Sequence, residues 1–338
     1  NKKVGRTMRN KQIEGLRAIG VIMIVLFHYI YRFNELYGDA SAFSVLSQWG
    51  SIGVGLFFMM SGYFMFGGSH KAYETLFQYY RRKVGRLYAP YLPAIIVIFL
   101  ATSVAKLPGR TTTVFDFFLN VVLINGFIGT PYVDTAHWYL TYLIAFIVIA
   151  GIVKYSKIKE TYAIPVWILF SYIIRAPIGR LGMPSGVEHF LHIISGGGNL
   201  YPFILGAVIY ELKKEKSFLE KGVLLLSAIF TIYNIIVLYN KVAAGWIIVF
   251  ALVFLLCIKC KLNFFSCDVL QKIAGISYPL YLIHQNIGYV IILSLRKVIG
   301  YEISAIVALL AAFFLAVVLC QIEKITKGRA ALCRLIRK

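Results

Sequence analysis

Arg17 and His28 lie eleven residues apart in EGLRAIGVIMIVLFH, Glu14 to His28, a stretch otherwise suited to lipid. Insertion scales put an arginine at the centre of a membrane helix at about 2.5–3.5 kcal/mol, so charge there is rare and tends to be functional. Eleven residues of α-helix make about three turns plus 20°, which places both side chains on one face, about 16 Å apart along the axis. Arginine is the usual anchor for phosphate, and histidine the usual general base near neutral pH. The pair suits a ligand that is anionic at one end and reactive at the other. Acyl-CoA is one such ligand, with phosphates, a long pantetheine arm and a thioester at the tip. Each residue also has a plainer use: an arginine at the start of a span belongs to the cytoplasmic belt of positive charge, and a histidine can satisfy a neighbouring helix.

Three further stretches carry chemistry. GSIGVGLFFMMSGYFMF, Gly50 to Phe66, holds Gly50, Gly53, Gly55, Ser61 and Gly62. Small residues let helices approach closely, and they equally let a slim ligand thread between helices. YYRRKVGRLYAPYL, Tyr79 to Leu92, gathers Arg81, Arg82, Lys83 and Arg86, with Pro90 and Pro93 expected to interrupt the helix start. Such a cationic knot binds membrane lipid headgroups or ligand phosphates equally well. GISYPLYLIHQN, Gly275 to Asn286, places Ser277, Tyr278, Tyr281 and His284 in one segment, with Ser277 and His284 two turns apart on one face. DTAHWYLTYL adds Asp134 and His137 at the head of another span, beside Trp138 of an ordinary interfacial belt.

The elements that position these residues are membrane helices. Of 338 residues, 59% are hydrophobic and 14% charged, against about 45–50% and about 25% in soluble domains. The excess collects in runs of bilayer length at about 20 residues. Ten spans are expected, at roughly 13–33, 50–67, 88–106, 136–153, 161–175, 199–212, 219–239, 242–258, 274–295 and 302–323. The fold class is therefore an all-α polytopic membrane protein with a single domain, 1–338. The apolar run 114–129 holds Asp116, Asn120 and Asn125 and is expected to be re-entrant or interfacial. With that run not crossing and the N-terminus inside, 26 of the 35 Lys and Arg fall on the cytoplasmic side and 8 on the outer side; if it crossed, the Lys154–Lys159 and Lys213–Lys221 clusters would face outward, against the positive-inside rule. Both termini are then cytoplasmic. The longest outer loop is 176–198, with His189 and His192.

The net charge of +21 sits in short loops between spans and gives no nucleic-acid signal. Cys257, Cys260 and Cys267 form a C-x2-C-x6-C run without a second pair, which reads as unpaired thiols rather than a metal site. The first span is not read as a cleaved leader, because its apolar run ends near Tyr31, about ten residues before Ala40-Ser41-Ala42.

Taken in order, these segments resemble the acyltransferase 3 family of integral membrane acyltransferases. Arg17 and His28 match its Arg-x10-His motif, GVGLFFMMSGYF its second-helix pattern, RRKVGRLYAPYL its Arg-rich entry to the third helix, and ISYPLYLIH its Ser-Tyr-x-x-Tyr-Leu-x-His segment; AHWYL and YPFILGAVI resemble weaker family segments. Glu14 stands where an Asp is usual. Lys83-Val-Gly-Arg86 stands where Arg-x-x-Arg is usual, or Arg82-x3-Arg86 if the register shifts, and lysine lacks the planar fork.

The resemblance implies an O-acyltransferase of the bacterial plasma membrane that moves an acyl group, acetyl first and succinyl second, from cytoplasmic acyl-CoA to a hydroxyl of a glycan or lipid-linked sugar. No metal is expected. On this reading His28 is the general base. Arg17, Ser61, Arg82, Lys83 and Arg86 hold the donor. Ser277, Tyr278 and His284 complete the site, with a Tyr or Ser of GISYPLY as oxyanion donor. An acyl-His intermediate stays open. Two rivals remain. A transporter or flippase of a lipid-linked or small polar substrate lacks support from internal repeats or intramembrane acids. A non-catalytic acyl-CoA sensor would keep Arg17 and tolerate loss of His28.

Overall fold

Each helix begins where its sequence offers a cap. In the computed structural model, which describes residues 10–38, 47–67, 74–156, 158–179 and 182–336 (side chains to 325), Asn10 opens α1 (Lys11–Leu26) by accepting from the Gln12 and Ile13 amides. The chain continues through a π-helical stretch, Phe27–Arg32, into α2 (Phe33–Tyr37). Then come α3 (Gly53–Gly67), α4 (Leu76–Ala105), α5 (Val114–Val121), α6 (Asn125–Ile128), α7 (Trp138–Tyr155), α8 (Glu160–Arg175), α9 (Ser185–Ser195) and α10 (Leu200–Glu211). The last four are α11 (Phe218–Leu238), α12 (Lys241–Ile258), α13 (Asp268–Ile299) and α14 (Tyr301–Ile336), and no strand occurs among the described residues. Capping boxes at Thr75/Gln78, Thr113/Asp116 and Ser217/Glu220 satisfy the free amides at the starts of α4, α5 and α11.

Eight segments are long and apolar enough to cross a membrane: Lys11–Tyr37, Gln48–Gly67, Leu76–Ala105, Thr135–Tyr155, Ser185–Glu211, Phe218–Leu238, Lys241–Ile258 and Tyr301–Ile325. The other two expected spans are also helices. α8 has only 16 residues, and α13 has 32 residues but buries polar side chains such as Ser277, His284, Gln285 and Asn286 along its middle. Large apolar side chains are left outside on several helices, Leu169 of α8, Leu226 of α11 and Leu310 and Phe314 of α14 among them. An apolar exterior around a core that holds buried His, Asp, Asn and Gln is what a bilayer selects. The chain is an all-α polytopic membrane protein.

Two expectations about the elements change, those for Pro90/Pro93 and for 176–198, while 114–129, expected not to cross, gains detail. Pro90 and Pro93 do not interrupt the start of their helix: α4 runs unbroken from Leu76, so the whole cationic stretch is helical. Proline removes one backbone donor, a loss membrane helices tolerate; Tyr278 Oη, donating to the Leu87 carbonyl at 3.0 Å, ties this stretch of α4 to α13. Segment 114–129 becomes two short helices, each too short to span. Its polar residues hold the turn: the buried Asn120 amide donates to the Asp116 and Pro131 carbonyls and accepts from Val133 N–H. Loop 176–198 is not all loop either. Its apolar residues form α9, which turns through Gly196 (φ 80°) and Gly197 (φ 51°) into α10.

Two crossings set the core. α3 meets α10 so closely that a Cβ on Gly62 would lie 1.9 Å from the Phe203 carbonyl oxygen, and one on Gly206 1.8 Å from that of Met59. α1 lies along α13, with Gly288 leaving room for the Tyr29 ring. These contacts fix the two helices that carry the chemistry.

Candidate active site

Arg17 and His28 of the first span both reach α13. Arg17 donates to the Ala274 carbonyl at 3.2 Å and pairs with Glu14. Ten residues further along α13, His284 Nε2 lies 3.1 Å from His28 Nδ1, with ring centroids 4.9 Å apart. His28 sits in the π-helical stretch, a form that recurs at functional sites.

The partners assign the protons. His28 Nδ1 is 2.9 Å from the Ile24 carbonyl, and His284 Nδ1 is 2.8 Å from the Tyr281 carbonyl. A carbonyl only accepts, so in the neutral pair both Nδ1 atoms carry hydrogen. His284 Nε2 is then an acceptor facing the His28 Nδ1–H. His28 Nε2 is left with its lone pair. It has no hydrogen bond to the protein and is not among the sealed, unsatisfied polar atoms, so it faces accessible space. This is the arrangement of a base whose opposite nitrogen is held by a second group.

His284 is itself held. Tyr29 Oη donates to its carbonyl at 2.7 Å. Asp134 and His137 both grip one rung of α13: Asp134 Oδ2 accepts the Asn286 amide at 3.0 Å, and His137 Nε2 donates to the Leu282 carbonyl at 2.9 Å. His284 lies between those two rung positions. Nothing in local spacing marks Tyr29 for this role.

A cavity of about 350 Å³ leads toward the pair from the Arg17 end. Arg17, Lys83, Arg86 and Glu323 line it, with Ser61, Tyr139, Ser277, Tyr278, Tyr281 and Ile24. Ser61 Oγ and Tyr139 Oη share a hydrogen bond of 3.0 Å. Two hydroxyls sharing one bond leave one hydrogen to offer a ligand. Glu323 was not foreseen; an acid inside the last apolar run is the signal that could have flagged it.

One expected donor-binding residue falls elsewhere. Arg82 does not line the cavity. It forms a two-point ion pair with Glu74 (2.6 and 2.7 Å); it lies about 100° around α4 from Lys83 but only about 40° from Arg86, so the Glu74 pair rather than the helix face accounts for its absence from the cavity. The register Lys83-Val-Gly-Arg86 is therefore the one facing the cavity. The hydroxyls offered as oxyanion donors are committed: Ser277 to the Ala274 carbonyl at 2.9 Å, Tyr278 to Leu87, and Tyr281 to Ala136. Their hydrogens point at backbone rather than at His28. No group of three or more His, Cys, Asp or Glu suited to a metal occurs among the described residues.

A family model described as an acyltransferase domain matches residues 10–322, nearly the whole chain. The chain belongs to that family. The match begins at the cap of α1 and ends in α14, so it takes in every helix that lines the cavity of this acyltransferase. Comparison with curated proteins and with solved structures gave no match.

Proposed function

We propose that this acyltransferase moves an acyl group, acetyl first among candidates, from cytoplasmic acyl-CoA to a hydroxyl of an extracytoplasmic glycan or lipid-linked sugar. It is read as a protein of the bacterial plasma membrane, with both termini cytoplasmic. The observation that carries the reading is one axis: a cavity with cations at one end that points at a histidine whose Nε2 is free. Arg17, Lys83 and Arg86 take the donor phosphates. The apolar walls take the pantetheine arm, and the Ser61/Tyr139 pair gives it a polar partner.

At the far end, His28 Nε2 removes the proton from the acceptor hydroxyl as its oxygen attacks the thioester carbonyl. The C–O bond forms, the C–S bond breaks, and the CoA thiolate recovers the proton from His28. During the step His28 is an imidazolium. Its Nδ1–H then donates more strongly to His284 Nε2, which steadies the charge at the moment it exists. His284 is thus a positioning residue.

The test uses membranes holding the protein, acetyl-CoA labelled in the acetyl group, and extracted surface glycans. Label should move to glycan with one CoA released per acetyl. Substrate movement without CoA release would replace this reading with transport. The donor end makes its own prediction. Arg17→Gln, Lys83→Gln and Arg86→Gln should each raise the acetyl-CoA KM by about tenfold, the loss of one charge-assisted contact of roughly 1.5 kcal/mol. Arg82→Gln should change KM little. Equal effects from Arg82 and Lys83 would place the phosphates outside the cavity.

A further inference from the structure

The face of the histidine pair opposite the cavity is built around a cation. Arg110, from the loop between α4 and α5, donates to Thr135 Oγ1 and lies 3.5 Å from Asn286 Oδ1. Its guanidinium sits 5.4 Å from the centre of the Tyr289 ring. Asn286 and Tyr289 are two and five residues past His284 on α13, so Arg110 stands about 3–7 Å beyond the pair, away from the cavity.

Every partner Arg110 has is neutral, and it makes no ion pair among the described residues. The neighbouring carboxylate, Asp134, is fully buried with its oxygens on the Ala136 and Asn286 amides. Arg32, one turn past His28, is paired to Glu35 at 2.7 Å. Arg296 lies over the Phe33 ring and donates to the Tyr37 carbonyl at 3.2 Å. A half-buried guanidinium fixed in place by hydroxyl, amide and ring, and left without a direct ion pair among the described residues, is a ready anion site, since a planar fork matches phosphate or carboxylate.

We propose that the acceptor is anionic, and that Arg110 binds its phosphate or carboxylate while a nearby hydroxyl of the same molecule meets His28. This rests on the acyl-transfer reading of the same site. The anion would fix the acceptor's register, so that the hydroxyl acylated is the one a short distance from the acidic group. Arg110 then selects the acceptor and takes no part in donor binding.

The test uses the full chain in nanodiscs of neutral phosphatidylcholine, with glucose 6-phosphate, glucuronate and glucose as probes and unfolding temperature as readout. Binding to the folded state raises that temperature, here by about 2 °C or more at saturating probe. At least one anionic sugar should stabilise the wild type and glucose should not; which of the two does so separates a phosphate from a carboxylate. The response should vanish in Arg110→Gln, persist in part in Arg110→Lys, and survive in Arg17→Gln and His28→Ala. No response to either anionic sugar overturns the proposal, as does an equal response to glucose. So does a response that survives Arg110→Gln or is lost with Arg17→Gln, which would put the anion at the donor end. Labelled transfer by wild type and His28→Ala keeps the two claims separate: transfer by wild type that His28→Ala abolishes, with no anion response, sinks only this inference, and an Arg110-dependent response with no labelled transfer by wild type sinks only the acyl-transfer reading.

Discussion

His28→Gln lowers acyl transfer by about 10³-fold, within the range a positioned general base contributes, and leaves the acetyl-CoA KM nearly unchanged. The split follows from the geometry. The donor cavity is lined by Arg17, Lys83, Arg86 and the walls up to Ile24, and His28 is not among its lining residues. Glutamine fills similar space and can still donate toward Ile24, but it cannot take a proton. His284→Gln should give a smaller fall in kcat, again with KM preserved, because it removes the acceptor facing Nδ1–H while leaving Nε2 in place. Single-turnover release of CoA by purified wild type and both variants, with acceptor present, measures both effects. A His28→Gln enzyme within tenfold of wild type would remove the base from this histidine.

Gly206→Leu prevents the chain from folding, and Gly206→Ala weakens it by about 1–3 kcal/mol, the usual range for overpacking. The cause is the crossing of α3 and α10. Any Cβ at residue 206 falls 1.8 Å from the Met59 carbonyl oxygen, and any at residue 62 falls 1.9 Å from that of Phe203. Neither obstacle is a side chain that can swing away; both are backbone. Gly222→Ala in α11 is the counterpart, because nothing lies within 4 Å of a Cβ there. Alanine should raise helix stability at that position by roughly 0.5–1 kcal/mol. Heating detergent extracts and following the monomer peak by gel filtration reads all three. Gly206→Leu eluting and melting like wild type would mean that the two helices separate without cost.

Much of this was legible in the chain, for identifiable reasons. The spans announce themselves because lipid imposes length and apolarity on each helix independently, without reference to its neighbours. Arg17 and His28 stand out because charge in such a run is costly. The meeting of His28 with His284 was not legible, since 256 residues separate them and only packing of α1 on α13 joins them. The misjudged start of α4 has a local cause: two prolines read as an interruption, while the capping box at Thr75 starts the helix well before them. Arg82 and Lys83 are adjacent in sequence and differ only in which way α4 turns them. That angle, and Glu74 waiting for Arg82, decided which of the two faces the cavity.

The cavity stops at Ile24 and Tyr281, a turn short of the histidines, and this has an electrical meaning. A membrane at 100 mV stores about 2.3 kcal/mol for every unit charge that crosses it. An open duct from the cationic rim to the outer mouth would discharge that store continuously. The Ile24 side chain and Tyr281, its hydroxyl turned onto the Ala136 carbonyl, stand at this end of the cavity and offer ions little foothold. A neutral acyl group passing them carries no current. On the proposed acyl transfer, carbon would cross the bilayer here without moving charge.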